Sequence, residues 1–138
     1  MTKKIYEELH ENCECARICG DYAEIVPDSI VDCALYLKDN GYDYLDMITA
    51  SDHNDEFILT YTFKDLKGKD DVMLRTSVSR EDPSLPSLSN IWIGADFQER
   101  EIYDLMGIIF TGHHNLKRIV LWDGFEGHPQ RKDYKNVA

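Results

Sequence analysis

Three groups of side chains in this sequence are of types that could carry out chemistry, and the first is a set of thiols near the amino terminus. Cys13, Cys15 and Cys19 follow His10, and three thiolates with one imidazole could hold a zinc ion in tetrahedral geometry. The spacing is not the Cys-x2-Cys that such sites usually have, and an iron–sulfur cluster would need Cys33 as its fourth ligand. The sequence therefore favours ordinary thiols. A small stand-alone metal-binding module built on these residues is kept as an alternative function.

The second group is a run of charged side chains that could take part in general acid–base catalysis. Glu99, Glu101 and Asp104 are carboxylates, and two carboxylates in different environments can act as acid and base. On a helix, however, Arg100 and Asp104 are four residues apart and would form an ion pair on one face. We therefore interpret the group as structural or as part of an interface, with a small hydrolase as the alternative.

The third group comprises His113, His114 and His128, with Asp123 or Glu126 available to complete a metal site. Adjacent side chains in an extended chain point to opposite sides, so His113 and His114 are not expected to share one ion. His113 and His128 each follow a glycine, and such pairs more often fix a turn through imidazole hydrogen bonds. We expect no bound metal here.

The elements that must position these groups begin with two helices and a pair of short strands. Residues 2–12 have the spacing of a short helix, and residues 15–26 indicate two strands. A second helix is expected after Asp28 or Ser29, either of which can cap it, and it should end at Asn40. Its predicted apolar face comprises Val31, Ala34, Leu35 and the stem of Lys38, with Ile30 and Leu37 flanking that face.

Alternation of apolar and polar residues in the middle of the chain is typical of half-buried strands. Residues 44–50, 56–63 and 72–79 are predicted as strands, the last two forming an antiparallel hairpin. The side chains expected to face the core are Phe57, Leu59, Tyr61, Phe63, Val72, Leu74, Thr76 and Val78. Residues 79–89, rich in serine and proline, are predicted as a loop.

A last helix is predicted from Phe97 to Met106, because Asp96 and Glu99 have the spacing of a capping box and Gly107 can end a helix. The sequence thus predicts an α+β fold, in which a mostly antiparallel sheet carries helices packed on one face. Residues 1–111 would form this body, and residues 112–138 an extended C-terminal arm that binds a partner, within a single structural domain.

Composition excludes several classes of protein. The chain has 43% hydrophobic and 30% charged residues, which indicates a globular domain, and it lacks an apolar run of about 20 residues that could insert directly into a membrane. The net charge of −11 is concentrated before Lys117, and an acidic body argues against a nucleic-acid partner. The amino terminus has no apolar segment of the signal-peptide kind, so we expect a cytoplasmic protein.

The charged cluster and the two Gly-His pairs resemble the signature of a known family: Glu-Arg-Glu, Tyr-Asp, Gly-Ile, a Phe, Gly-His-Pro and Arg-Ile. The matching residues are Glu99, Arg100, Glu101, Tyr103, Asp104, Gly107, Ile108, Phe110, Gly112, His113, Leu116, Arg118, Ile119, Gly127, His128, Pro129, Arg131, Lys132, Asp133 and Tyr134. On these positions the chain resembles the NuoC-type (30 kDa) subunit of respiratory complex I and of energy-converting membrane-bound nickel–iron hydrogenases. It differs at His114 and Gln130, where the family usually has Pro and Leu.

The resemblance implies a non-catalytic structural and assembly subunit that clamps the large catalytic subunit of a membrane-associated oxidoreductase complex and also meets its iron–sulfur small subunit. It implies no cofactor in this chain, whereas partner subunits would carry iron–sulfur clusters and, in the hydrogenase version, a nickel–iron centre. The complex would be a hetero-oligomer peripheral to the cytoplasmic side of the cell membrane, taking part in electron transport and ion translocation.

Because the chain is short and unfused, we expect the hydrogenase version, with a complex I-type NADH or ferredoxin:quinone oxidoreductase as the alternative. The expected partner interface comprises Glu99, Arg100, Glu101, Tyr103, Asp104, Phe110, His113, Arg118, His128, Arg131, Lys132, Asp133 and Tyr134.

Overall fold

A computed structural model describes residues 4–12, 15–19, 21–65 and 71–113, together with Leu116, His128 and Arg131. Several predictions fall outside this described part of the chain. They concern Cys13, His114, Arg118, Asp123, Glu126, Lys132, Asp133, Tyr134 and the side chains of His10, Cys15 and Cys19. The metal-site and arm predictions that rest on these residues stay predictions.

The described residues form an α+β fold with a five-stranded sheet, a two-stranded sheet and three α-helices. In chain order the elements are α1 (Lys4–Asn12), β1 (Cys15–Cys19), β2 (Tyr22–Ile25), α2 (Ile30–Asp39), β3 (Tyr44–Asp52), β4 (Glu56–Lys64), β5 (Asp71–Ser79), β6 (Ser84–Pro86), α3 (Ile93–Met106) and β7 (Ile109–Thr111). The larger sheet has the order β1-β2-β5-β4-β3, and all its neighbours are antiparallel except β2 and β5. The predicted fold class is confirmed. None of the described helices is long and apolar enough to cross a membrane.

The core lies against one face of β4 and β5, where burial alternates residue by residue as the sequence predicts. Buried side chains of all three helices belong to the same apolar cluster. Tyr6 of α1 joins the helix to the sheet through its hydroxyl, which donates to the Asp21 carbonyl at 2.7 Å and accepts from the Met73 amide at 3.1 Å.

The buried face of α2 differs from the prediction. Leu35 is 40% exposed and Lys38 is also exposed, whereas the buried positions are Ile30, Cys33, Ala34 and Leu37. These four follow the i, i+3, i+4, i+7 spacing of one helix face, and Cys33 serves there as a small apolar side chain. Ser29 occupies the cap position, but among the described residues its side chain makes no capping hydrogen bond.

Two predictions for residues 79–106 are wrong. The predicted loop contains β6, which pairs in parallel with β7, an element that the sequence did not indicate. The last helix begins at Ile93, four residues before the predicted start, so Asp96 lies inside α3 and no capping box forms. Trp92 explains the earlier start, because its ring packs on Phe63 with centroids 5.3 Å apart and fixes the chain at that point.

Candidate functional site

Five of the predicted interface residues lie on α3, and this helix is fixed in place by two contacts and by a glycine at its end. Before its first turn, the Trp92 indole donates a hydrogen bond to a backbone carbonyl at 2.7 Å. In its middle, the Gln98 side chain accepts from the Ile48 amide at 2.7 Å, which sets α3 along the edge strand β3. The helix ends at Gly107, whose φ of 78° is in the left-handed region that favours glycine. The predicted end of the helix is confirmed.

Glu99 is fully buried and holds the segment after β6 against α3. Its carboxyl accepts hydrogen bonds from the Ser87 hydroxyl at 2.6 Å and from the Leu88 amide at 2.8 Å. Burial raises the pKa of Glu99 from 4.5 to about 7, with a smaller contribution from the charge of Asp96 and opposed by the two hydrogen bonds. The buried carboxyl therefore retains its proton to a higher pH than an exposed one, and its role in this fold is to join two elements.

The carboxylates of α3 do not face a common accessible space. Glu99 and Asp104 are fully buried, whereas Glu101 is exposed. A catalytic pair needs both carboxyls within reach of one substrate atom, so this geometry gives the hydrolase alternative no support. The ion pair between Arg100 and Asp104 stays a prediction.

The accessible surface of α3 is more apolar than the sequence indicated. Ile93 is 89% exposed and Phe97, one turn later on the same side, is 62% exposed. The Arg100 guanidinium lies 5.9 Å from the centre of the Phe97 ring, and Glu101 is exposed beside it. We call Ile93, Phe97, Arg100 and Glu101 the α3 surface. The sequence did not indicate Ile93 as a member of this surface, because the helix predicted from the sequence begins at Phe97 and so lacks the i, i+4 partner of that ring.

The described arm residues contact the body. The His113 ring lies with its Nε2 3.0 Å from a carboxylate oxygen of Asp96, and its side chain is fully buried. Leu116 packs against the core. His128 Nδ1 donates to the Asp104 carbonyl at 2.9 Å, and Arg131 Nε donates to the Met106 carbonyl at 2.6 Å. Of the other predicted interface residues, Phe110 is buried and Tyr103 is half-buried.

The described part of the chain offers little to hold a cofactor or metal. No group of three or more His, Cys, Asp or Glu side chains there is placed to bind an ion, and Cys33 is buried in the core. A cavity of about 250 Å³ lies where β2 diverges from β5, and one of about 220 Å³ lies between β3 and α3. Both are smaller than the roughly 300–1,000 Å³ of typical ligand pockets.

Comparison with known proteins gives consistent matches over most of the chain. The profile of the family described as respiratory-chain NADH dehydrogenase, 30 Kd subunit, matches residues 23–138. The chain is 38% identical to a subunit of the NADH-quinone oxidoreductase of Roseiflexus castenholzii, over 83% of its own length and 70% of that protein. It is 39% identical to the equivalent protein from Moorella thermoacetica, over 82% and 79% of the two chains.

Two solved structures are similar to this fold. A trypsin-resistant fragment of Nqo5 superposes with a TM-score of 0.63 at 31% identity, covering 69% of this chain and 81% of the fragment. A chain of an archaeal respiratory membrane complex, the membrane-bound sulfane sulfur reductase, superposes with a TM-score of 0.78 at 22% identity, over 95% and 83% of the two chains. The second likeness concerns the fold alone. On the match over residues 23–138, this chain belongs to the family of the 30 Kd subunit of the respiratory-chain NADH dehydrogenase.

Proposed function

We propose that this chain is a non-catalytic assembly subunit of a membrane-associated oxidoreductase complex, in which it clamps the large catalytic subunit. The observation that carries the proposal is the α3 surface. Ile93 and Phe97 expose large apolar side chains on a helix that is rigidly held by the core, and Arg100 lies against the ring. An aromatic residue with a neighbouring arginine is the combination enriched in the centre of protein interfaces.

The interface predicted from the sequence divides into three sets in this proposal, and one of them, His113, His128 and Arg131, contacts the body of this chain. Arg100, Glu101 and Tyr103 reach the surface of the body and are proposed to touch the partner, as are Arg118, Lys132, Asp133 and Tyr134 of the arm. Glu99, Asp104 and Phe110 are buried in this chain, so they would act by shaping the surface. The arm, residues 112–138, is proposed to extend the contact beyond the α3 surface.

For the type of complex, the names of the relatives favour an NADH-quinone oxidoreductase, since both bacterial relatives described above are subunits of a complex with that name. In such a complex the large subunit and an iron–sulfur small subunit would be the neighbours, and the iron–sulfur clusters would belong to partner chains. The chain would then lie on the cytoplasmic side of the membrane, peripheral to it. A nickel–iron hydrogenase complex, the type expected from the sequence alone, is the second candidate.

The decisive experiment is affinity purification of the chain from its native membranes, with mass spectrometry of the proteins that accompany it. A large subunit with two Cys-x2-Cys pairs, suited to nickel and iron, would identify the hydrogenase type, and a large subunit without them the quinone-reducing type. Absence of any large partner would contradict the assembly role.

The α3 surface is tested in the same purification with Ile93→Asp and Phe97→Asp combined. The control is Leu35→Asp, which places the same charge at a 40% exposed apolar position on α2, outside the proposed interface. We expect recovery of the large subunit to fall at least about tenfold for the double variant and to stay unchanged for the control. Unchanged recovery for both would remove the α3 surface from the proposal. Because all three side chains are accessible, the unfolding free energies of the free variants should stay within about 0.5 kcal/mol of the parent, which checks that folding is intact.

A further inference from the structure

The carboxyl end of α3 is closed by two side chains that come from the arm. The last carbonyls of a helix lack intrahelical partners, and they carry the negative end of the helix dipole. His128 and Arg131 supply those partners, through Nδ1 to the Asp104 carbonyl at 2.9 Å and through Nε to the Met106 carbonyl at 2.6 Å. A guanidinium at this position is favoured twice, by its hydrogen bond and by its charge.

The two side chains are partly buried and lie against aromatic rings and the end of α3. The His128 ring lies 6.1 Å, centre to centre, from the Tyr103 ring, and the Arg131 guanidinium lies 5.0 Å from the centre of the Phe57 ring. A Cβ atom at Gly107 would come within 2.7 Å of His128 Cδ2 and of Arg131 Nη2. The site is therefore fitted to a glycine at the helix end.

A third contact fixes the beginning of the arm on the same helix. His113 lies with Nε2 3.0 Å from Asp96 Oδ1, near the start of α3. Asp96 and Asp104 are separated by about 12 Å along the helix, at a rise of about 1.5 Å per residue. His113 and the pair of His128 and Arg131 thus contact the same helix at two points that lie a short distance apart.

We propose that His128 and Arg131 are positioning residues that fasten the arm to the carboxyl end of α3 before any partner binds, and that they act on partner binding through the arm. We call these two side chains the helix-end anchor. The inference rests on the proposed assembly function and changes the role of both residues from partner contacts to internal ones. A segment fastened at both ends loses less conformational freedom on binding than a free tail, so the anchor favours association through preorganisation.

The first test needs the free chain alone. A carbonyl only accepts, so the contact with Asp104 requires a proton on Nδ1 of His128. Nitrogen NMR of the ring at a pH where it is neutral should therefore report Nδ1–H and a bare Nε2. Observation of the Nε2–H form, or of an averaged mixture of both, would overturn the proposal.

The second test compares His128→Ala with His128→Asn. The asparagine amide nitrogen occupies nearly the same place as Nδ1 and can donate to the same carbonyl, so it should rescue the anchor. In the free chain, chymotrypsin cleavage after Trp122 or Phe125 of the arm should be at least about tenfold faster in His128→Ala than in the parent, since cleavage follows local opening. His128→Asn should restore the parent rate to within about twofold.

Affinity purification of the same variants from native membranes connects the anchor to binding. We expect recovery of the large subunit to fall several-fold for His128→Ala and to return with His128→Asn. An equal loss in both variants, with cleavage of the free chain unchanged, would show that the ring touches the partner and would overturn the proposal. Faster cleavage without any loss of recovery would overturn the link to binding. If the parent itself recovers no large subunit, the proposed function fails, whereas the NMR and cleavage results still decide the anchor.

Discussion

Replacing Gly107 by alanine should destabilise the chain more than the same replacement at Gly41, although the two glycines have similar backbones. Gly107 ends α3 with φ of 78°, and Gly41 follows α2 with φ of 97°. A side chain in this left-handed region costs about 1 kcal/mol at either position. The difference lies in the surroundings, because a Cβ at Gly41 meets nothing within 4 Å, whereas at Gly107 it would meet His128 and Arg131 at 2.7 Å.

The magnitude follows from the contacts that must move. The Arg131 guanidinium is the end of a flexible side chain, but its shift and that of the His128 ring would break the hydrogen bonds to the Met106 and Asp104 carbonyls. Each such bond contributes about 1 kcal/mol, so we expect a loss of about 3 kcal/mol for Gly107→Ala against about 1 kcal/mol for Gly41→Ala.

The assay is urea unfolding of the two single variants, and of His128→Ala combined with Arg131→Ala, measured with and without Gly107→Ala. In the absence of both arm side chains, the cost of Gly107→Ala should fall to that of Gly41→Ala, because the clash is gone. Equal free energies of unfolding for the two single variants would refute the reasoning. An undiminished cost in the combined variant would also refute it, since the penalty would then be unrelated to the arm.

Three further predictions concern the interior. The folded state holds a proton on Glu99 up to about pH 7, whereas the unfolded state releases it near 4.5, so this group makes the free energy of unfolding fall by at most about 3 kcal/mol as pH rises between these values. Glu99→Gln is an analogue of the protonated carboxyl and should flatten that pH dependence when the free energy is measured by urea titration. An unaltered pH dependence would contradict the assignment. Tyr6→Phe leaves the Met73 amide without its acceptor and should lower the free energy of unfolding by about 1–3 kcal/mol, against less than about 0.5 kcal/mol if the hydrogen bonds are unimportant. Arg80→Met removes the ion pair between Arg80 and the buried carboxylate of Asp52, and it should lower the free energy of unfolding by about 2–4 kcal/mol, measured by thermal unfolding. Combining Arg80→Met with Asp52→Asn removes the buried charge as well and should partly restore that free energy.

The hairpin of β4 and β5 could be predicted from the sequence because its signal is local. Alternation places every second side chain on one face, and the buried members, from Phe57 to Val78, are the apolar ones and Thr76. The ends of α2 and α3 were predictable for the same reason, since Asn40 and Gly107 are residues that adopt helix-ending conformations readily. Neither signal requires knowledge of any distant contact.

The faces and starting points of the helices were harder because they depend on packing between elements. The sequence offers Cys33 as a possible metal ligand, so Cys33 was not counted in the predicted apolar face of α2. The predicted face was therefore centred near Leu35, which is exposed, and not on the buried face that contains Cys33. The start of α3 is set by Trp92 packing on Phe63, and Gly94 in the first turn gave the sequence a weak helical signal there. In both cases a tertiary contact determined the outcome.

Glu99 shows why one local pattern can have two structural meanings. Asp96 and Glu99 have the spacing of a capping box, in which the glutamate would reach back to the backbone at the start of a helix. In the structure the helix has already begun, and the same carboxyl reaches across to Ser87 and Leu88, which are close only because β6 pairs with β7. A sequence pattern of four residues contains no information about that pairing, so the buried acid could not have been predicted from it.

Several residues that carry the family resemblance are buried beneath the α3 surface, whereas the most accessible apolar members of that surface lie outside the signature. Glu99, Asp104 and Gly107 are buried, and Glu99 holds α3 against the segment after β6. Ile93 and Phe97 do not belong to the matching positions, yet they expose the largest apolar groups on that helix. Substitutions at the buried positions would alter partner binding together with stability, whereas substitutions at Ile93 and Phe97 would alter binding alone. Measuring both quantities for each variant therefore distinguishes the residues that shape the α3 surface from those that contact the partner.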